Sequence, residues 1–417
     1  MWWTHVIDEL PGKSSILFNS EDDTIFILDI PQSIAAAQVL PGNESPKRCL
    51  LSVRPLEKPY PLTEPKSQRA REQVLNHHLD RALHDEYAQL IQDALTTAIN
   101  LYRHDRPYRD SAYKDFCLGR VVPEDNYEQP LRQPRKRECP STTDNIRNRI
   151  ASSSQAGAPP ASTEIFRNET DTLKKVILAC SDNDIEPDHH SDNECTYILP
   201  PRCTILLGDC TDTATFRSVA REFTRHGRFD MIVMDPPWPN RSAFRSARYN
   251  TTGLPGLTDM LLSMDLDIRL KSDGLVAVWI TNRAAVRKAV LGTLGLFESW
   301  GVQLYEEWVW CKVTQRGEPM FRLDGDWRKP YEVCLIGRRL PSMNTALSEI
   351  KRRVIFGVPD LHSRKPCLKG LFDKLLFKDR DGEDDPAVLE IFARYAVAGW
   401  MSWGNEAIKY NNDDYWS

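Results

Sequence analysis

Phe229-Asp230-Met231-Ile232-Val233-Met234-Asp235-Pro236-Pro237-Trp238 decides how this chain is read. The run Phe229 to Met234 is apolar except for Asp230, the near-continuous pattern of a strand covered on both faces. The proline pair then stops it, and an aspartate and a tryptophan bracket the stop. Outward from this stretch, strands alternate with helices. Thr204-Ile205-Leu206-Leu207 precedes it as a buried strand, and Phe216, Val219, Ala220 and Phe223 give the helical face between the two. Gly274 to Ile280 is a third strand, followed by a helix around Val286, Val290, Leu291 and Leu294; Trp308 to Val313 and Glu332 to Ile336 add two more strands. Such alternation predicts an α/β fold, a Rossmann-like and mostly parallel sheet with helices on both faces. Ligands of open sheets bind beyond the carboxyl ends of the strands, where Asp235 stands.

The chemistry that Asp235-Pro236-Pro237-Trp238 could perform follows from its donors and acceptors. An exocyclic amine on an aromatic base is a poor nucleophile because its lone pair is delocalised into the ring. Two acceptors holding its N–H hydrogens would pyramidalise the nitrogen and turn the lone pair outward. The Asp235 carboxylate is one candidate acceptor. The Pro236 carbonyl is the other, expected to be free of sheet pairing because Pro237 contributes no N–H. Trp238 is expected to supply a stacking face for a flat base, worth about 1–3 kcal/mol. A base already stacked in a helix would have to be extruded first. The competing reading is a proline stop with an incidental aspartate and a core tryptophan.

Around this centre the chain divides by composition into residues 1–127, 128–194 and 195–417. The first region carries a hairpin, Ser15 to Phe18 and Thr24 to Leu28 around a polar turn, and a long amphipathic helix marked by Leu75, Leu79, Leu83, Tyr87, Leu90, Ile91, Leu95, Ile99 and Tyr102. It reads as a smaller α+β accessory domain whose helix packs on its own domain more readily than on another chain. The second region, rich in Ser, Pro, Asn and Asp, reads as a flexible linker. It contains the basic cluster Arg132-Gln133-Pro134-Arg135-Lys136-Arg137, a nuclear-import address, a nucleic-acid tether or merely solvated charge.

Composition bounds the rest. The 417 residues carry a net charge of −5, which excludes gripping nucleic acid by bulk charge and leaves only local basic surface. No apolar run is long enough for a membrane span, and the opening Met1-Trp2-Trp3-Thr4-His5 lacks a secretory plan. Ten cysteines without a Cys-x-x-Cys pair argue against a zinc site and for free thiols in a reducing compartment.

Asp-Pro-Pro-Trp after an apolar strand resembles the S-adenosylmethionine-dependent adenine 6-amino methyltransferases, and the longer stretches resemble the methyltransferase-like protein 4 branch. They are Tyr197-Ile198-Leu199-Pro200-Pro201, Trp279-Ile280-Thr281-Asn282-Arg283, Lys329-Pro330-Tyr331-Glu332, His362-Ser363-Arg364-Lys365-Pro366, Glu390-Ile391-Phe392-Ala393-Arg394 and Trp400 to Glu406. The likeness covers about residues 196–417. It implies a permuted winding of the sheet, S-adenosylmethionine as cofactor, and Asp235, Pro236, Pro237 and Trp238 as the catalytic turn. It further implies cofactor contacts from Asp209, Cys210, Asp235, Lys365, Arg394, Asn405 and Glu406. Lys365 would meet the cofactor carboxylate, and Pro366 reads as the first residue of a helix. Asp209 reads equally as an Asx turn, and Asn405 as a turn residue. Tyr395 stands where the family carries an asparagine near the ribose.

The loop after the motif supplies Asn240, Arg241, Arg245, Arg248 and Tyr249, a local basic patch with interleaved aromatics expected to contact substrate phosphates. The resemblance implies an enzyme acting on adenine in nucleic acid, RNA before DNA, with an internal adenosine or 2′-O-methyladenosine of a small nuclear RNA as target; action as a monomer is expected, and the basic cluster together with the resemblance points to the nucleus, with the cytoplasm as the alternative. Two other readings stand beside it: a DNA adenine methyltransferase, and a catalytically silent nucleic-acid-binding subunit on the same fold.

Overall fold

The protein is described from a computed structural model covering residues 14–43, 48–61, 68, 81–104, 115–123, 163–179, 194–239, 253–325, 328–340, 349–361, 364–378 and 385–417. The strands are β1 (Ile16–Asn19), β2 (Ile25–Leu28), β3 (Glu164–Asn168), β4 (Lys174–Ala179), β5 (Glu194–Leu199), β6 (Cys203–Leu207), β7 (Phe229–Met234), β8 (Leu270–Ile280), β9 (Val302–Lys312), β10 (Tyr331–Arg339), β11 (Lys351–Gly357), β12 (Val388–Ile391) and β13 (Met401–Gly404). Eleven of them form one sheet in the order β1-β2-β11-β9-β10-β8-β7-β12-β13-β6-β3, and β4 and β5 form a separate ribbon. The block β8-β7-β12-β13-β6 is parallel throughout, while β10 runs antiparallel to both β8 and β9. The sheet is therefore mixed, with its parallel strands at the site.

Alternation explains the layers. Along β8, Val276, Val278 and Ile280 enter one core, with the helices Arg81–His104, Thr213–Phe223, Gly253–Ser263 and Ala284–Leu291; Leu275, Ala277 and Trp279 enter the other, with the helices Ile30–Ala36 and Lys369–Leu375. Both faces are covered, as the apolar strands require. β12 and β13 come late in the chain yet lie between β6 and β7, so the winding is permuted.

The first 127 residues do not build a fold of their own in the described parts. The hairpin forms, with Ile16 opposite Leu28, and the Ser20 Oγ accepts from the amides of Thr24 (3.1 Å) and Ile25 (3.0 Å). But β2 then pairs in parallel with β11 and extends the main sheet. The reason is burial: every residue of β2 is enclosed, and a two-stranded ribbon cannot cover both its own faces. The helix Arg81–His104 lays Tyr87, Ile91, Leu95 and Tyr102 into the same core as β7 and β8. Leu75 and Leu79 lie outside the described residues.

The linker reading also needs correction. Within 128–194, β3 pairs antiparallel with β6 and β4 with β5. The apolar side chains Phe166, Val176 and Leu178, too few to show a period in sequence, pack against the cluster around Tyr197 and Ile205. The basic cluster 132–137 lies outside the described residues. Among the described residues seven cysteines are free and Cys195 is disulfide-bonded, against the all-thiol expectation.

Candidate active site

Asp235 leaves β7 at its carboxyl end, where β12 lies on one side and β8 on the other. The strands separate there over a cavity lined among others by Asp235, Trp279, Lys365, Glu390, Arg394 and Tyr395. The turn is held from several sides. The Trp238 amide donates to the Pro236 carbonyl at 2.7 Å, and the Trp238 indole N–H donates to the Trp279 carbonyl at 2.7 Å. Arg283 donates to the Pro239 carbonyl, and the Asn282 side chain to the Tyr331 carbonyl at 2.6 Å. The stretch Trp279 to Arg283 thus braces the proline turn from the neighbouring strand. Two expectations change. Trp238 is only 2% exposed and belongs to the core, so it offers no stacking face here; its indole hydrogen bond fixes it there. The Pro236 carbonyl already has one donor, leaving one lone pair for a ligand.

Lys365 is the electrostatic hub. Its Nζ is 3.0 Å from both oxygens of Asp235 and 2.9 Å from Glu332, and lies 5.2 Å over the Trp279 ring. Lys312 also donates to Glu332. Burial opposes the charge on Lys365, but the two carboxylates hold its pKa well above the usual value. Burial would raise Glu332 as well, yet Lys312 and Lys365 keep it far below the carboxylate range. The three ammonium hydrogens therefore already have acceptors, and a cofactor carboxylate could gain Lys365 only in exchange for one of them. The helix expected at Pro366 begins at Lys369 instead. The Cys367 amide donates to the Ser33 Oγ at 3.0 Å, which holds this segment out of the helix.

The remaining predicted cofactor residues divide into two groups. Arg394 lines the cavity, with its Nε 3.2 Å from Glu406, whose other oxygen is 3.1 Å from Lys409. Glu406 is 6% exposed and is better described as the anchor of Arg394 than as a ligand contact. Asn405 follows β13 in the turn between them. Asp209 lies beyond the end of β6 and accepts from the Thr211 amide at 2.9 Å, the Asx turn that was its alternative reading. From β6 across β13 and β12 to β7 is three strand spacings, about 14 Å, so Asp209 and Asp235 could touch two ends of one elongated ligand. The Cys210 thiol is fully buried in the core, which removes it as a side-chain contact. Asn240, Arg241, Arg245, Arg248 and Tyr249 lie outside the described residues.

Three residues were not singled out as site residues from sequence. Glu332 completes the Lys365 cluster. Trp279 presents its ring to the cavity and to the Lys365 ammonium. Glu390, an acid within the otherwise apolar β12, has its Oε2 buried without a hydrogen-bond partner, and burial, aided by Asp235, raises its pKa to about 8. A charged residue inside a buried strand was the available signal for both glutamates.

With Glu390 neutral, the carboxylates of Asp235 and Glu332 are balanced by the ammoniums of Lys365 and Lys312. Glu390, with its unpartnered Oε2, lines the same cavity as Asp235. Among the described residues no group of three or more His, Cys, Asp or Glu is placed to hold a metal ion.

Fold and site together define a Rossmann-like methyltransferase domain of permuted winding, with the Asp235 carboxylate and the proline turn at one strand end. The sequence profile of the MT-A70 family matches residues 229–406. A protein named N6-methyladenosine RNA methyltransferase MTA1, from Pyricularia oryzae, is 30% identical over 424 residues, covering 97% of this chain and 96% of that one. This chain belongs to the MT-A70 family. The MTA1 protein of Cryphonectria parasitica is 46% identical over 190 residues, 45% of this chain and 54% of that one. The mouse N(6)-adenine-specific methyltransferase METTL4 is 33% identical over 228 residues, 52% of this chain and 45% of that one. The chain therefore matches nearly the whole of one relative and about half the length of the other two.

Proposed function

We propose that this chain transfers a methyl group from S-adenosylmethionine to the 6-amino group of adenine in nucleic acid, with RNA favoured over DNA. The observation that carries the reading is the Asp235 carboxylate, presented at the cavity mouth and held by Lys365 through both oxygens. A carboxylate has about four lone-pair positions, so two remain for an amine N–H. The second N–H would go to the free lone pair of the Pro236 carbonyl. The nitrogen lone pair then points away from the protein, into the cavity. Lys365 fixes the carboxylate geometry, and Glu332 and Lys312 fix Lys365. As the N–C bond forms and the methyl–sulfur bond breaks, leaving a neutral thioether, the nitrogen would carry one proton too many, and Asp235 is the base within reach to receive it.

The cofactor, when bound, supplies a methyl group on a cationic sulfur. Its residues on this side would be Asp235 and Glu390 near that charge, Arg394 with Tyr395 near the ribose, and Asp209 at the far end. Holding both partners in line accounts for much of the acceleration such a site can give. RNA is favoured because the MTA1 relatives carry that substrate in their names. DNA remains the second reading, since a Caenorhabditis elegans relative 30% identical over 213 residues is named DNA N6-methyl methyltransferase. A small-nuclear-RNA adenosine as target, action as a monomer and residence in the nucleus belong to the same proposal.

The test is incubation of the purified chain with labelled cofactor and synthetic RNA and DNA oligomers, followed by digestion and mass analysis. N6-methyladenosine in RNA is the expected product. No methylation of either polymer, together with no thermal shift on adding S-adenosylmethionine, would instead identify a silent scaffold.

Glu390 supplies an independent check through pH. An unfolded glutamate ionises near 4.3, while the folded group does so at about 8. Between those values the folded state keeps a proton that the unfolded state has lost. Its stabilising contribution is therefore complete below about pH 4 and declines until the pH passes about 8, by the order of a few kcal/mol. Glu390→Gln keeps a neutral group at every pH and should flatten that decline. Thermal denaturation of both proteins from pH 5 to 9 tests it; equal slopes would mean Glu390 is ionised in the folded state.

A further inference from the structure

At the opposite end of the parallel block from Asp235, the amino-terminal edge, arginines gather with few acids to balance them. Arg269 ends the short helix before β8, and Arg228 precedes β7; Leu270 and Phe229, their next neighbours, are paired in register, so the two arginines adjoin. Arg217 and Arg221 reach the same place from the helix Thr213–Phe223. Arg269 is only 5% exposed, its Nε is buried without a hydrogen-bond partner, and among the described residues it forms no ion pair. An ionised side chain so enclosed costs several kcal/mol unless something neutralises it. Burial and the positive charges of Arg221, Arg217 and Arg228 all act against its proton, and only Asp265 favours it. Asp265 is already committed to Arg217 at 2.5 Å.

The local backbone leaves room for this guanidinium. Gly227, at φ +62°, closes the turn over it, and a Cβ there would come within 2.9 Å of Arg269 Nη1 and 3.2 Å of Arg221 Cγ. Arg339 is not available to a ligand, since it donates to the carbonyls of Asp267, Leu270 and Trp300. Arg221 and Arg228 are exposed and carry no ion pair among the described residues.

We propose that Arg269, Arg221 and Arg228 form a phosphate-binding site under the Gly227 turn. Three guanidiniums without an acid of their own match a group carrying up to two charges and three acceptor oxygens, and their forked donors suit its geometry. A single carboxylate would leave the cluster strongly positive. Two sources supply such charge: two successive phosphodiesters, one charge each, of a nucleic-acid backbone passing round the sheet, and a free phosphate or pyrophosphate. The site needs no adenine and no methyl donor, so it stands or falls separately from the function proposed above.

The experiment uses the full chain in phosphate- and sulfate-free buffer. Thermal melting is followed with inorganic phosphate, pyrophosphate, sodium glutamate and sodium chloride at matched ionic strength, and fluorescence anisotropy with a labelled 20-nucleotide oligouridylate. Phosphate or pyrophosphate should raise the wild-type Tm by several degrees beyond the chloride control. Arg269→Met should lose that increment while melting no lower than the wild type in phosphate-free buffer, because an unpaired buried charge has been removed. Arg228→Gln, at an exposed position that does not threaten folding, should weaken the increment as well. If oligouridylate affinity falls in both variants, with a shallower salt dependence, the source is nucleic acid. If it is unchanged while the phosphate response is lost, the source is a small phosphate. An equal shift with chloride or glutamate, or an undiminished phosphate shift in both variants, overturns the site.

Discussion

Asp235→Ala is expected to lower methyl transfer by about 10²–10³-fold, the loss associated with removing one polar stabiliser of a reacting centre. The substitution takes away the acceptor for the amine and for its departing proton, and frees Lys365 from two of its three contacts. Folding should survive, because Glu332 still pairs Lys365 and the Asp235 side chain is 29% exposed. Asp235→Asn keeps one acceptor oxygen and should lose less than the alanine variant. Single-turnover rates at saturating cofactor, with cofactor affinity measured alongside, separate the chemical step from binding. A rate within a few-fold of wild type in the alanine variant would remove Asp235 from the mechanism.

Deleting residues 1–123 is expected to abolish cooperative folding. The deletion strips β2 from β11, exposing the pairing edge of Val354 to Phe356. It also removes Tyr87, Ile91 and Ala98, all fully enclosed, from the main core. Beneath the cavity, Arg364 and Asp360 form an ion pair at 2.5 Å with both side chains fully buried. The Leu51 carbonyl accepts from Arg364 at 2.8 Å and the Ser52 hydroxyl donates to Asp360 at 2.5 Å. Taking away those partners leaves buried charge under-satisfied, among the costliest changes a core can suffer. A milder probe is Ile27→Ala, which should cost about 2–5 kcal/mol at a fully buried site in β2. Circular dichroism and denaturant melts report both. A soluble fragment 124–417 with a sharp transition would show that the amino-terminal segment is an accessory after all.

The sequence alone determined the strand and turn at Phe229 to Trp238, the alternating helices, the apolar stripe of Tyr87, Ile91 and Leu95, and the family. These are local: a buried strand, a proline stop and a helical face each write their period into adjacent residues. Trp238 shows the boundary. Its place in the motif was evident, but whether the ring faced a base or the core depended on a carbonyl at Trp279, supplied by a different strand. Lys365 likewise was legible as a site residue, whereas its partners Asp235 and Glu332 stand 130 and 33 residues away and meet it only through the permuted sheet. The same holds for the pairing of β2 with β11 and for the arginines around Gly227. Hydrogen bonds and charge pairs between remote segments leave no periodic trace in a chain, because nothing in the spacing of residues encodes which strand edges will meet. Tertiary structure decided those contacts, and with them which of the expected residues reach the cavity and which merely hold it open.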